Sequence, residues 1–328
     1  MSVFHRMLHV LCFLGASLIS FAASAQPAGY PAKPLTYVVP YPAGGAADVF
    51  ARSLASELSK RIGQTVIVEN RAGANGNLGS AYVARTAPAD GYTFLLGSLS
   101  SLAINPHIYS SMGYDPLKDL QPVSLTHQMA NVLVVNPATP YKTVADVIAA
   151  AKAKPGMLAY ASAGNGNTMH IAGEQFKSQS GIDISHVPYK GGPPALNDVL
   201  GGQVPMMFNN LPAIVELVNS GKLRALAVGD KNRAKQLPQV PTMEEAGLKG
   251  YTSIVWNGVL VRSGTPPEIV QYLAKQIAAA LESPTLKKPL EDQGYEVLSS
   301  TPEKFSALLK SEYAAMLPVV KNSGAKVD

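Results

Sequence analysis

The stretch YVVPYPAGGAADVFAR, residues 37–52, decides the fold of this chain. A short apolar strand runs into a loop that contains Gly44 and Gly45, and the amphipathic helix that follows has no basic residue before Arg52. Such a loop offers backbone N–H groups at the positive end of a helix dipole, so neutral groups can bind an anion there. A second glycine loop, YASAGNGNTMH, occupies residues 160–170. Two such loops on separate βα units predict a clamp around a small acid.

The first 25 residues have the three-part pattern of a secretory signal peptide. A basic start leads into the apolar run 8–21, and the small residues ASA at 23–25 offer a cleavage site. The run is shorter than the ~20 apolar residues that span a bilayer. We therefore expect cleavage of residues 1–25 on export and a mature protein in the periplasm.

The composition of the mature chain excludes several kinds of chemistry. Cys12, the only cysteine, lies in the signal peptide, which excludes disulfides, thiolate catalysis and cysteine-ligated metals. Loss of Arg6 lowers the 27 Lys+Arg to 26, which against 22 Asp+Glu leaves a net charge of +4. The basic residues are scattered and not interleaved with aromatic residues, so nucleic-acid binding is not expected.

Strands and helices alternate along the chain. Strand-like runs at 35–39, 65–69 and 92–96 are separated by helical patterns. This βαβαβ order predicts an α/β fold with mainly parallel, open sheets and with ligand sites at the carboxyl ends of the strands. The order restarts after Pro122, and about 300 mature residues exceed the usual single domain of ~100 to 200 residues. Two lobes are therefore expected.

The boundaries of the two lobes follow from two strand-like runs. Residues 121–135 and 251–261 are the expected crossings between them. We expect one lobe to comprise residues 26–126 and 251–328, and the other residues 127–250.

Six ordered stretches carry a resemblance to a known family. They are PYPAGGAADVFAR (40–52), VENRAGANGNLG (68–79), ADGYTFLLGS (89–98), YASAGNGNTMHIAGEQF (160–176), VPYKGGPPALNDVLGGQVPMMF (187–208) and LPQVPTMEEAG (237–247). The chain is similar, over nearly its whole mature length, to the extracytoplasmic solute receptors of tripartite tricarboxylate transporters, the Bug receptors. The resemblance implies a two-lobed periplasmic binding protein of type II, the Venus-flytrap fold. It also implies a monomer without cofactor that captures a di- or tricarboxylate or an aromatic acid for membrane permease subunits.

Ligand-binding residues are expected on both loops and at nearby strand ends. In the first loop, the positions that match the family are Tyr41, Ala43, Gly44, Gly45, Ala46 and Ala47. In the second loop, the candidates are Gly164, Asn165, Asn167, Thr168 and His170. Further candidates at the ends of strands and in the loops that follow them are Ser98, Lys190 and Asn209. The resemblance places Asn209 where many members of the family have an acidic residue. Because an amide cannot neutralise an ammonium group, an acid without an amine is favoured over an amino acid.

Several of these residues have a second interpretation. Thr168 is expected to donate to a carboxylate, to cap its helix, or both. Lys190 could be a surface charge, and Trp256 either walls the cleft or belongs to the core. His170 and Glu174 are i,i+4 neighbours, but two ligands without a third do not predict a metal site.

The competing classes are an exported hydrolase that acts on a small acid or ester and a transcription regulator's sensing domain. Residues 97–101, GSLSS, lack the second glycine of the GxSxG nucleophile motif, and HExxH is missing. A regulator should carry no signal peptide, and no helix-turn-helix segment precedes the first strand. The phosphate-binding pattern GxxxxGK[ST] is also absent from the sequence, which disfavours a nucleotide cofactor. The sequence therefore predicts a binding protein and not an enzyme.

Overall fold

The computed structural model describes residue 27 and residues 29–325. The expected signal peptide, residues 1–25, lies outside the described residues. Residues 31–328 form a compact unit of their own, and the fold and site below belong to its described part. No helix within that part has the length and apolar character needed to cross a membrane.

The strands of the described chain form one curled, mixed sheet. In chain order they are β1 (Leu35–Val39), β2 (Val66–Asn70), β3 (Thr93–Ser98), β4 (Leu120–Val135), β5 (Ala159–Ser162), β6 (Ser185–Pro188), β7 (Met206–Asn210), β8 (Arg224–Val228), β9 (Ile254–Arg262) and β10 (Glu296–Val297). The spatial order is β2-β1-β3-β9-β4-β7-β5-β6, and β8 and β10 also pair with β4.

The helices connect these strands. They are α1 (Ala46–Ile62), α2 (Asn77–Ala81), α3 (Val144–Ala153), α4 (Thr168–Ser180), α5 (Gly192–Leu200), α6 (Leu211–Asn219), α7 (Pro267–Leu281), α8 (Pro284–Asp292) and α9 (Pro302–Ser323). Helix α1 buries Phe50, Leu54 and Leu58 at four-residue spacing, and it ends at Gly63, which has a left-handed φ of 68°. Thr143 and Asp146 form a capping box at the start of α3.

The sheet has two parallel parts joined by antiparallel strands. Strand β1 pairs in parallel with β2 and β3, and β5 pairs in parallel with β6 and β7. The 16-residue strand β4 pairs antiparallel with β9 and also with β7 and β8. The parallel order comes from the βα repeats, whereas the joining strands have no helical crossover to make them parallel.

Each part of the sheet has its own hydrophobic core. One core includes Tyr160, Phe176 and Phe208, and the other includes Leu95, Trp256 and Phe305. These two cores define the two lobes of an α/β fold. The lobe that contains β1 is called the first lobe, and the lobe that contains β5 is called the second lobe.

Candidate functional site

A cavity of about 770 Å³ lies between the two lobes. It is lined by the segments that follow β1, β3, β5 and β7, because the carboxyl ends of these strands meet there. Twelve of the predicted ligand-binding residues line it: Tyr41, Gly44, Gly45, Ala46, Ala47, Ser98, Gly164, Asn165, Asn167, Thr168, Lys190 and Asn209. We call this cavity the cleft.

The first loop, residues 41–47, is held in place by a buried carboxylate. Gly44 has a φ of 80°, and its N–H donates to Oδ2 of Asp48 at 2.9 Å. Asp48 also accepts from Nε of Arg52 at 3.0 Å and from Nδ2 of Asn70 at 2.9 Å. Burial acts to raise the pKa of Asp48, but the hydrogen bonds from these three donors outweigh it, so the pKa lies below its usual value. The carboxylate therefore stays ionised and fixes the direction of the Gly44 N–H.

The N–H groups that follow Gly44 remain available to a ligand. Gly45 is the N-cap of α1 and provides no side-chain cap. Within the described residues, the N–H groups of Ala46 and Ala47 have no hydrogen-bond partner. Since the first N–H groups of a helix have no intrahelical acceptor, the start of α1 can bind an anion.

The second loop, residues 163–168, leads to the start of α4. Asn167 caps α4, because its Oδ1 accepts the N–H of Met169 at 3.0 Å. The interpretation of Thr168 as the cap is therefore wrong. The N–H groups of Asn165 and Thr168, and the Thr168 hydroxyl, have no partner among the described residues. These three groups can donate hydrogen bonds to a ligand in the cleft.

A hydroxyl cluster lies at the base of the cleft. The hydroxyl of Tyr41 is hydrogen-bonded to Oγ of Ser98, and Ser98 in turn contacts Ser101. Burial raises the pKa of Tyr41, so this side chain is neutral. The cluster can supply uncharged donors near the first loop.

The cleft has almost no charge of its own. Among its lining residues, Lys190 is the one with a charged side chain, and it is exposed. Asn209 faces the cleft, where its Oδ1 accepts the N–H of Asn210 at 2.8 Å. Its Nδ2 contacts only the weakly accepting Sδ of Met207, at 3.6 Å, within the described chain. The lining thus offers donors and contains no carboxylate.

Two predicted residues do not line the cleft. Ala43 is exposed at the tip of the first loop, and His170 is 5% exposed and lies behind the second loop. The Nδ1 of His170 accepts the N–H of Gly166 at 3.1 Å, so this atom is not available to a ligand. Trp256 belongs to the core, packs edge-on against Phe305 and lines a separate cavity.

Sequence reasoning missed a third loop of the cleft. Residues 73–76 all have positive φ, including the non-glycine residues Ala74 and Asn75. The Oδ1 of Asn75 accepts from Nδ2 of Asn167 at 3.2 Å, which joins the two lobes directly. The run of glycines and asparagines after β2 was the available signal, since these residues tolerate left-handed backbone.

A second contact joins the lobes at Pro42 and Gly191, which both line the cleft. A Cβ atom on Gly191 would lie only 2.6 Å from Cγ of Pro42, so the backbone of Gly191 packs directly against the Pro42 ring. Gly191 has a φ of 119°, which also requires glycine. The lobes therefore touch at two places around the cleft.

Solved structures with the same fold define the class of the protein. The chain superposes on the structure of Rhodopseudomonas palustris Rpa4515 with adipate with a TM-score of 0.88 and 38% identity, covering 91% of this chain and all of that one. MatC from Rhodopseudomonas palustris with bound malate gives a TM-score of 0.84 and 30% identity, over 89% of this chain and all of that one. The fold is that of a periplasmic binding protein.

The family follows from the sequence comparisons. A family model described as tripartite tricarboxylate transporter family receptor matches residues 50–325, well over half of the chain. Protein BugT of Bordetella pertussis is 39% identical over 324 residues, which is 98% of this chain and 98% of BugT. The chain belongs to the tripartite tricarboxylate transporter receptor family, and the resemblance to Bug receptors is confirmed.

Proposed function

We propose that this protein is a periplasmic receptor that captures a small carboxylate in the cleft and delivers it to the permease subunits of a tripartite tricarboxylate transporter. One observation carries the proposal. Unpaired N–H groups from the starts of α1 and α4 face one cavity whose lining contains no carboxylate. A desolvated carboxylate needs such donors, and each charge-assisted hydrogen bond is stronger than a neutral one.

The two loops would hold the ligand from opposite lobes. Ala46 and Ala47 would donate from the first lobe, and Asn165 and Thr168 from the second. The twelve predicted residues that line the cleft form the binding surface, with Ser98 and Tyr41 at its base and Lys190 at its rim. Relatives with adipate and with malate support a carboxylate ligand.

The ligand class follows from the chemistry of the lining. Asn209 presents an amide N–H, so the group opposite it should be an oxygen acceptor and not an ammonium. We therefore propose a dicarboxylate, a tricarboxylate or an aromatic acid, and not an amino acid.

The lobe boundaries and the hinge are part of the same proposal. The second lobe would comprise residues 127–250, which is supported by a core that runs from Ala130 to Tyr251. Strands β4 and β9 would act as the hinge, because both link the lobes. Closure would then be a rigid-body movement of the lobes around the ligand.

The proposal also covers export, oligomeric state and the absence of catalysis. We propose that the signal peptide is cleaved after Ala25, that the mature receptor is a monomer in the periplasm, and that it performs no reaction on its ligand. A hydrolase that uses Ser98 has little support, because its hydroxyl contacts Tyr41 and Ser101 and no histidine within the described chain.

Titration calorimetry in metal-free buffer tests the function. The mature protein is titrated with adipate, malate, citrate, benzoate and, as an amine-bearing control, aspartate. We expect saturable binding of at least one acid and its recovery unchanged after dialysis. Absence of binding for the whole series, or conversion of the ligand, would refute the receptor function. Tighter binding of aspartate than of malate would refute the ligand class.

A further inference from the structure

Two stacked histidines lie directly behind the second loop. The rings of His170 and His186 are 3.9 Å apart between centroids and 15° from parallel. His170 is on α4 and His186 is on β6, so two different elements bring the rings together. Neither ring lines the cleft.

Each histidine is bonded to the backbone of the loop, directly or through one hydroxyl. Nδ1 of His170 accepts the N–H of Gly166 at 3.1 Å. Nε2 of His186 is hydrogen-bonded to Oγ of Ser162 at 2.6 Å, and that oxygen accepts the N–H of Gly164 at 3.1 Å. The two glycine N–H groups are thus directed away from the cleft and toward the histidines.

Within the second loop, the N–H groups of Gly164 and Gly166 are bonded, whereas those of Asn165 and Thr168 have no partner among the described residues. Gly164 and Gly166 have φ values of 123° and 73°, and these left-handed turns point successive N–H groups in different directions. Because glycine has little intrinsic preference between such conformations, the loop needs bonds that select one of them. The hydrogen bonds to the histidines, direct or through Ser162, select one loop conformation.

The protonation state of His170 follows from its partner. A backbone N–H can only donate, so Nδ1 of His170 must carry a lone pair and the proton must be on Nε2. Nε2 lies 4.0 Å from Oε1 of Glu174, and that oxygen already accepts from the hydroxyl of Tyr160 at 2.6 Å. A neutral ring with this tautomer accepts the Gly166 N–H at Nδ1 and carries its proton at Nε2, on the side of Glu174.

We propose that His170 and His186 are positioning residues for the ligand: His170 accepts the N–H of Gly166, His186 holds the Ser162 hydroxyl that accepts the N–H of Gly164, and together they aim the N–H groups of Asn165 and Thr168 into the cleft. The inference rests on the proposed carboxylate-binding function and assigns a role to two residues that do not touch the ligand.

Paired variants of His170 test the role. Asparagine places an oxygen acceptor close to the position of Nδ1, whereas leucine fills the space without an acceptor. The acid with the highest affinity for the wild type in the series above is titrated into His170→Asn and His170→Leu. We expect His170→Leu to bind at least about tenfold more weakly, since it leaves the buried Gly166 N–H unpaired. His170→Asn should bind within about threefold of the wild type, as the acceptor is restored.

The outcomes distinguish failure of the proposed carboxylate-binding function from failure of the positioning role. If the wild type binds none of the acids, the proposed function fails. If the wild type binds and His170→Leu binds equally well, only the positioning role is refuted. Loss of affinity in both variants to the same extent would also refute it, because restoring the acceptor would then have no effect.

A spectroscopic measurement on the wild type does not depend on the folding of a variant. Long-range ¹H–¹⁵N spectra near neutral pH should show His170 with an unprotonated Nδ1 and a protonated Nε2. The amide signal of Gly166 should also shift when ligand is added, because the loop is tightened from both sides. A protonated Nδ1 in the unliganded protein would overturn the proposal.

Discussion

The two loops of the cleft offer the same donors but are held by opposite kinds of chemistry. The first loop is held by the ionised, buried carboxylate of Asp48, which also binds Arg52. The second loop is held by the neutral side chains of His170, Ser162 and Asn167. The stabilising contribution of an ionised carboxylate persists until the pH falls to its own low pKa. The stabilising contribution of buried neutral histidines is lost at a higher pH. The comparison shows that one binding geometry can be maintained in two ways that differ in their response to pH.

The largest expected effect is a loss of stability in mild acid. Burial lowers the pKa of His170 to about 4 and that of His186 to about 3, with the charge of His170 further lowering the latter. Unfolded histidines have a pKa of about 6.5, so their contribution is complete above pH 6.5 and is lost as the pH falls toward 4. We expect the free energy of unfolding to fall by several kcal/mol in this range, as measured by urea denaturation.

The variant His170→Asn separates the contribution of the second loop to this pH dependence from that of the other buried histidine. His127, buried against Phe50, has a pKa lowered to about 3 by burial and adds to the same range. Glu174 and Tyr160 also face the histidine pair, but the Tyr160 pKa is raised by burial and by Glu174, so this phenol stays neutral. His170→Asn should therefore flatten the pH dependence. The same slope in the wild type and the variant would contradict the comparison.

The next effect concerns the charged support of the first loop. Asp48 is 3% exposed, and Asp48→Asn should lower the free energy of unfolding by about 2 to 3 kcal/mol, since hydrogen bonds to an ionised group are lost. Carboxylate affinity should fall as well. Asp146→Asn is the matched control, because Asp146 also accepts backbone N–H groups at the start of a helix but holds a segment that does not line the cleft. Equal losses of affinity in both variants, measured by calorimetry, would argue against a special role of Asp48.

A smaller effect distinguishes the two glycines of the first loop. Gly44 has a φ of 80°, so Gly44→Ala should strain the loop by about 1 to 2 kcal/mol and weaken binding by about fivefold to thirtyfold. Gly45 has a φ of −78°, and a Cβ there would meet Pro42 O at an ordinary 3.6 Å. Gly45→Ala should therefore bind within about threefold of the wild type. The reverse order of affinities would mean that side-chain space, and not backbone direction, limits the loop.

The smallest effect is expected from the cation at the rim. Lys190 is exposed, so its attraction to an anion is screened by water and salt. Lys190→Gln should weaken carboxylate binding by no more than about threefold at physiological salt, and the difference should shrink as salt is raised. Complete loss of binding in this variant, with normal binding by Gly44→Ala, would contradict recognition by uncharged N–H groups. It would show that the Lys190 cation recognises the carboxylate.

Much of the fold was predictable because it depends on local patterns. The apolar spacing of α1, its end at Gly63 and the capping box of α3 all follow from short-range rules. Helix α8 and strand β10 were not anticipated. The first carries an internal proline and the second is only two residues long, so neither has a clear periodic signal.

The sequence by itself determined the two glycine loops, their place after strands and the near absence of charge around them. Only the tertiary structure decided which N–H groups are available. The N–H of Gly44 is taken by Asp48, which is itself held by Asn70 on another strand, and the N–H of Gly166 is taken by His170. Local sequence specifies where a loop occurs, whereas the direction of each N–H depends on partners that long-range packing brings to it.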